Sequence, residues 1–288
     1  MQVVCWSNYH GQAGNTSNAI AIALSLAMNS NSKVLLCSMQ YYKNNIDSAF
    51  FEGNELKELD SGIDSIERVA RAKDLNVENF KSYTTTLIKD RLDFLTSSSK
   101  ASYELFSKIN DSIKDILYMA NKVYDFVIVD VNTGLENEIT QKILKVLDEN
   151  NLVVVNMCQN EKLIHDFFKK DKKQLERLTN NNKMIINIGN YDSKIKCNKK
   201  YIDKLYKNQI PIYYVPYNSD FKDSINNHKV IEFFKVNSNK ENENEVFFNE
   251  VNKISNKLIE LNDRNIEVIK EPIKKVSFAQ KFKSILEL

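Results

Sequence analysis

The sequence predicts a three-layer α/β/α fold on a doubly wound, mostly parallel sheet of about seven strands. Three observations carry that prediction. Short β-branched and aliphatic runs alternate with longer amphipathic stretches along the chain. Several of the runs are apolar without polar alternation, as strands covered by helices on both faces must be. The first run leads directly into a glycine-containing loop and a helix-forming segment, the position from which open α/β sheets bind ligands.

Taken in order, residues 2–6 (QVVCW) form a β-branched run suited to a strand, and residues 16–29 follow as a helix rich in small apolar residues. Residues 33–37 (KVLLC) make the second strand. The amphipathic stretches 63–73, 77–95 and 103–122 are expected as helices ahead of a strand at 124–130 (YDFVIVD). A helix at 138–149, a strand at 152–157 (LVVVNM), a helix at 161–179 and a strand at 183–188 (KMIINI) continue the alternation. A helix at 199–208, a strand at 212–216 and a long helix at 246–261 complete it. Residues 237–245 (NSNKENENE) are polar and read as a loop.

Composition narrows the function classes. A chain of 288 residues that is 42% hydrophobic and 27% charged is neither collagen-like, nor disordered, nor a disulfide-stapled mini-protein. Forty basic against thirty-eight acidic residues give a net charge of +2, so no global field demands nucleic acid, and DNA is the less favoured partner. Cys5, Cys37, Cys158 and Cys197 form no CxxC pair and are expected as reduced thiols rather than metal ligands. No apolar run reaches the ~18 residues of a spanning helix, and MQVVCWS lacks the basic region and cleavage site of a signal peptide. The expected location is the cytoplasm, with peripheral attachment to the inner face of the membrane as an extension.

The loop after the first strand reads Ser7-Asn8-Tyr9-His10-Gly11-Gln12-Ala13-Gly14-Asn15-Thr16-Ser17-Asn18, and AIAIALSLAM follows. Two of only six glycines lie in it, between strand and helix, where backbone N–H groups and a helix N-terminus cradle phosphate. On these residues the chain resembles the ParA/MinD-type P-loop ATPases, whose loop has the pattern G-K-G-G-x-G-K-T-T. Gly11 and Gly14 match two glycines and Thr16 matches the magnesium-binding hydroxyl. KVYDFVIVDVNTGLE resembles the family strand in which, by this resemblance, Asp130 holds the magnesium shell and Gly134 senses the γ-phosphate. MIINIGNYD resembles the strand that ends at adenine, which puts Asn187 or Asn190 at the base. IPIYYVPYNSDFKDSINNHKVIEFF resembles the late strand with its proline loop and helix. The matches keep the family order over residues 1–262. The resemblance therefore implies ATP and Mg²⁺ as cofactors, with Gly11, Gln12, Ala13, Gly14, Asn15, Thr16, Ser17, Asp130, Gly134, Asn187 and Asn190 around the nucleotide and Thr16 and Asp130 on the metal.

The same alignment exposes departures. Gln12 replaces a glycine, His10 stands at the signature lysine, and Asn15 stands at the phosphate-loop lysine. Ser38 and Gln40 occupy the positions of two family aspartates, one of which helps place the attacking water. Phosphoryl transfer depends on charge fixed around the γ-phosphate, and one such electrostatic contact is worth about 10²–10³-fold in rate. ATP hydrolysis is thus expected to be absent or very slow. Backbone amides, the Thr16 and Ser17 hydroxyls and Asp130-bound Mg²⁺ keep a route to nucleotide binding open. Within the family that the chain resembles, the CpaE/TadZ-like branch, which looks like localisation factors of pilus-assembly systems, also tolerates a lysine-to-threonine change in this loop.

The remaining chain divides into the α/β domain, 1–262, and a linker and amphipathic tail, 263–288. On a helix, Phe278, Phe282, Ile285 and Leu286 fall at i, i+4, i+7 and i+8, with Lys281 and Lys283 beside them. That pattern suits an interfacial helix on anionic lipid, and docking on the protein's own surface or a second subunit is the other reading. His10 reads as a loop hydrogen-bonder or a stand-in for the lost lysine, His165 and His228 as surface residues, and Trp6 as packing. The leading expectation is a catalytically degenerate ParA/MinD-like protein that positions a membrane-associated assembly of pilus or secretion type through a protein partner, with a homodimer compatible. The alternatives are a working ATPase with a nucleotide-dependent dimer cycle, and an interaction module that binds no nucleotide.

Overall fold

Eight strands form one sheet in the computed structural model, which describes residues 1–40, 46–52, 61–98, 103–180, 183–238, 241–262, 264 and 266–269. They are β1 (Gln2–Ser7), β2 (Val34–Ser38), β3 (Thr85–Ile88), β4 (Leu92–Leu95), β5 (Phe126–Asp130), β6 (Leu152–Met157), β7 (Lys183–Tyr191) and β8 (Ile212–Pro216). Their order is β3-β4-β2-β5-β1-β6-β7-β8, parallel throughout except for the antiparallel β3–β4 edge pair. The helices are α1 (Asn15–Asn29), α2 (Ile63–Arg71), α3 (Val77–Phe80), α4 (Tyr103–Ser107), α5 (Ile109–Val123), α6 (Glu138–Lys145), α7 (Glu161–Asp166), α8 (Lys172–Leu178), α9 (Lys199–Tyr206), α10 (Ser219–Asn226), α11 (Val230–Asn237) and α12 (Glu245–Leu261).

The non-alternating strands are explained by two cores. In β1, Val3 and Cys5 join one core with α1, α11 and α12, while Val4 and Trp6 join the other with α2, α5, α6 and α7. In β5, Phe126 and Ile128 face the first core and Val127 and Val129 the second. Each buried aliphatic contributes about 1.5–3 kcal/mol, and β1, β2 and β5 keep their polar residues to their ends. Helix α1 is buried from Asn18 to Ala27, because it lies between the sheet and α12 and its alanines permit close approach.

Three of the expected helices are corrected. Residues 77–95 are not a single helix: α3 covers only Val77–Phe80, closed by an Asn76–Asn79 capping box, and a β3–β4 hairpin follows. Thr84, Thr85 and Thr86 favour extended backbone, and Asp90 turns the chain at φ +60°. Leu92 and Phe94 then enter the α1-side core, which raises the expected seven strands to eight. The helix expected over 103–122 is divided into α4 and α5, and the one over 161–179 contains a π-turn, Phe167–Asp171, between α7 and α8.

Trp6 is buried as packing and His165 is exposed on α7, whereas His228, expected at the surface, is half-buried and bonds the distant Ser48 carbonyl. The cysteines are unpaired, with Cys5, Cys37 and Cys158 buried. After α12, Arg264 donates to the Tyr124 and Asn121 carbonyls and pairs with Asp125 at 2.9 Å. Ile269 donates to the Asn29 carbonyl at 2.8 Å. This segment therefore lies at the amino ends of the strands, opposite the glycine loop. The stripe of Phe278, Phe282, Ile285 and Leu286 lies outside the described residues, as do Lys281 and Lys283. Among the described residues, no helix is long and apolar enough to cross a membrane.

Candidate functional site

The loop between β1 and α1 sits at the carboxyl end of the central strand and is held from below. Gly11 and Gly14 have φ +78° and +64°, left-handed values that glycine adopts without strain. The Asn190 amide donates to the Gln12 carbonyl at 3.0 Å, and Asn18 donates to the Ala13 carbonyl at 3.1 Å. Gly189 lets the loop rest on β7, since a Cβ there would lie 2.2 Å from the Ala13 oxygen. These contacts use loop carbonyls and leave the amides. Gly14 begins α1 without a side-chain cap, and the first turn holds no acid. Among the described residues, the N–H groups of Asn15, Thr16 and Ser17 meet no protein acceptor. Such a helix start carries about half a positive charge and binds anions.

Beneath the loop, Asp130 at the end of β5 is fully buried. Thr16 donates its hydroxyl to one carboxylate oxygen at 2.8 Å, and the Asn15 amide donates to the other at 2.7 Å. Gln40 donates to the Thr16 hydroxyl at 3.2 Å. Burial pushes the Asp130 carboxyl up to about 7, with hydrogen bonds from Thr16, Gln40 and Asn15 pulling the other way. A hydroxyl and a carboxylate side by side are hard oxygen donors of the kind Mg²⁺ takes, so Thr16 and Asp130 fit that ion.

Asn15 does not point outward as a phosphate-binding lysine would. Its amide also donates to the Cys5 carbonyl at 2.9 Å, and its oxygen accepts from Asn156 at 2.7 Å. Asn156 in turn accepts from Asn187 at 2.9 Å. A chain of carboxamides therefore runs from Asp130 through Asn15 and Asn156 to Asn187, crossing β5, β1, β6 and β7 under the loop. Strand register makes this contact, since Asn156 pairs with Ser7 on one side and Asn187 on the other.

Gly134 is likewise engaged: its N–H donates to the Ser7 carbonyl at 2.9 Å, and its carbonyl accepts from the Trp6 indole at 2.7 Å. Beside the loop opens a cleft of about 220 Å³. Gly11, Gly14 and Ser17 line it together with the apolar side chains of Val215, Phe221 and Phe247. Asn190, Tyr217 and Lys222 also border it.

The structure thus gathers Gly11, Gln12, Ala13, Gly14, Asn15, Thr16, Ser17, Asp130 and Gly134 at the carboxyl end of the sheet. Of the two asparagines assigned to a base, Asn190 lines the cleft, whereas Asn187 is buried in the amide chain. Gln12 and His10 are exposed. Sequence reasoning missed Asn156 and Lys222. The signal for Asn156 was a lone amide in the otherwise apolar run LVVVNM, repeated by Asn187 in MIINI. Among the described residues, no group of three or more His, Cys, Asp and Glu side chains is placed to hold a metal.

A family model described as an AAA domain matches residues 1–185. Among solved structures, the chain is similar to a ParA family ATPase from Chlorobium tepidum, with 17% identity, TM-score 0.66, and coverage of 88% of this chain and 98% of that one. It is similar to the septum site-determining protein MinD of Pyrococcus horikoshii, solved with Mg-ADP, at 13% identity and TM-score 0.66, covering 91% and 97%. It is also similar to the MinC:MinD cell division complex of Aquifex aeolicus, at 18% identity and TM-score 0.61, covering 94% and 98%. No curated protein sequence matches significantly. With well over half of its length matched by the family model, the chain belongs to the AAA domain family, and it shares the fold of the ParA and MinD ATPase structures.

Proposed function

We propose that this chain is a catalytically degenerate ParA/MinD-like protein that binds a magnesium nucleotide in the loop and its adjoining cleft and hydrolyses it very slowly or not at all. The observation that carries the reading is the inward commitment of Asn15. The position of the loop lysine holds a neutral amide already bonded to Asp130, Cys5 and Asn156, so it adds no charge at a γ-phosphate. Gly134 spends its N–H on Ser7, and Gln40 replaces a carboxylate with an amide on Thr16. The binding groups persist: free amides at the start of α1, the Thr16 and Ser17 hydroxyls, and an oxygen pair suited to Mg²⁺. When bound, Mg²⁺ would supply charge neutralisation of the phosphates, held by Thr16 and Asp130.

In the biological part of this reading, the protein is a scaffold that positions a membrane-associated assembly of pilus or secretion type, in the manner of the CpaE/TadZ-like branch, and acts from the cytoplasmic side. The Aquifex relative is found in complex with the protein MinC, which supports a protein partner. The domain, 1–262, carries the nucleotide site, and the tail, 263–288, carries the attachment stripe. Calorimetric titration of the full chain with MgATP and MgADP tests the first step. Saturable binding that is lost when Gly14 is replaced by a bulky residue is expected, and absence of heat at millimolar nucleotide refutes it.

A further inference from the structure

The loop has lost its own cations, yet the cleft that adjoins it has one. Lys222 borders the same cavity as Gly14 and Ser17, and it is the charged side chain in that lining. It extends from α10 beside Tyr217, with its ammonium 5.9 Å from the ring centroid. Among the described residues it makes no ion pair with any carboxylate, so its charge is free for a ligand. Tyr217 is 54% exposed at the rim and offers an aromatic face. The cavity lining therefore combines residues of the loop and the start of α1, apolar side chains suited to a base, and one cation on an exposed helix. Outside that lining, the two positions that the family resemblance assigns to the terminal phosphate are spent: Asn15 is turned inward and the Gly134 N–H is already used.

We propose that Lys222 is the cation of this nucleotide site, reaching the α- and β-phosphates from across the cleft, and that the site consequently takes nucleoside diphosphates and triphosphates with near-equal affinity. The proposal rests on the nucleotide-binding reading above and adds to it a residue and a ligand preference. Positive charge is delivered from the base side rather than from the loop, so it acts on the phosphates nearest the ribose. A third phosphate finds no cationic side chain and gains little.

The test is calorimetry on the full chain, wild type against Lys222→Ala and Lys222→Arg, with MgADP, MgATP and adenosine as titrants at two salt concentrations. Lys222 is exposed on α10, and thermal melts confirm that each variant is folded. The wild type should bind MgADP and MgATP within about threefold of each other. Lys222→Ala should weaken both by about tenfold or more, the value of one charge-assisted contact. It should also flatten their salt dependence and leave adenosine unchanged, while Lys222→Arg retains most of the affinity. Wild-type binding that Lys222→Ala leaves intact overturns the proposal while the nucleotide-binding reading stands, as does ATP binding more than tenfold tighter than ADP. A wild type that binds no nucleotide overturns the reading itself and the proposal with it.

Discussion

Replacing Asn15 by alanine tests whether its carboxamide is part of the fold or a ligand group. The substitution removes a donor to the Asp130 carboxylate at 2.7 Å, a donor to the Cys5 carbonyl at 2.9 Å, and the acceptor of the Asn156 amide at 2.7 Å. A hydrogen bond to a charged group contributes about 1.5–3 kcal/mol, and a buried donor left without its acceptor costs about 1–3 kcal/mol. Alanine recovers about 0.5 kcal/mol in helix propensity, and Asn15 is only half-buried, so water can enter. The expected loss is about 2–4 kcal/mol. Urea unfolding followed by tryptophan fluorescence measures it at the right place, because Trp6 is the single tryptophan, is buried, and bonds Gly134 beside the loop. In a double-mutant cycle with Asn156→Ala, the two changes should couple by about 1 kcal/mol or more. An Asn15→Ala protein within about 0.5 kcal/mol of wild type, with no coupling to Asn156, would refute the reasoning.

Asp130 sets a pH dependence. Its carboxyl, ordinarily near 4, is pushed up to about 7 by burial, so the folded state holds the proton more tightly than the unfolded chain. The contribution is favourable below about pH 4 and is lost as pH rises to about 7, with an upper bound near 4 kcal/mol. Asp130→Asn should therefore gain stability relative to wild type by about 1–3 kcal/mol between pH 5 and pH 8 without magnesium, read from urea midpoints; a difference that does not change with pH would count against it. The attachment stripe is checked by flotation with liposomes rich in anionic lipid. Deleting residues 274–288 should abolish co-flotation, and equal flotation of both proteins removes the membrane assignment.

The sheet was legible because central parallel strands must be apolar on both faces, and Val3 to Trp6 or Phe126 to Val129 have no alternative use for such runs. The loop was legible because two scarce glycines stand between a strand and a helix. The β3–β4 hairpin was not, since its few residues also fit an amphipathic spacing and only docking of Leu92 and Phe94 on α1 decides their state. The amide chain was hidden for a different reason. Asn15, Asn156 and Asn187 are more than 30 residues apart from one another and meet only through strand register. The alignment reveals a missing lysine at Asn15, but the direction of the amide depends on Cys5 and Asp130 beneath it. Lys222 was equally invisible, because its closeness to Gly14 depends on where α10 packs after β8.

The most direct test of the account is single-turnover hydrolysis, with the protein in excess over radiolabelled MgATP at a concentration where binding is saturated. A phosphate loop that keeps its amides but has neutral side chains in place of its lysines should hold the ATP intact, with conversion slower than about 10⁻³ s⁻¹, the scale of an unassisted nucleotide hydrolase. Faster conversion that disappears in Asp130→Ala would show that the site remains a catalyst and would contradict the account.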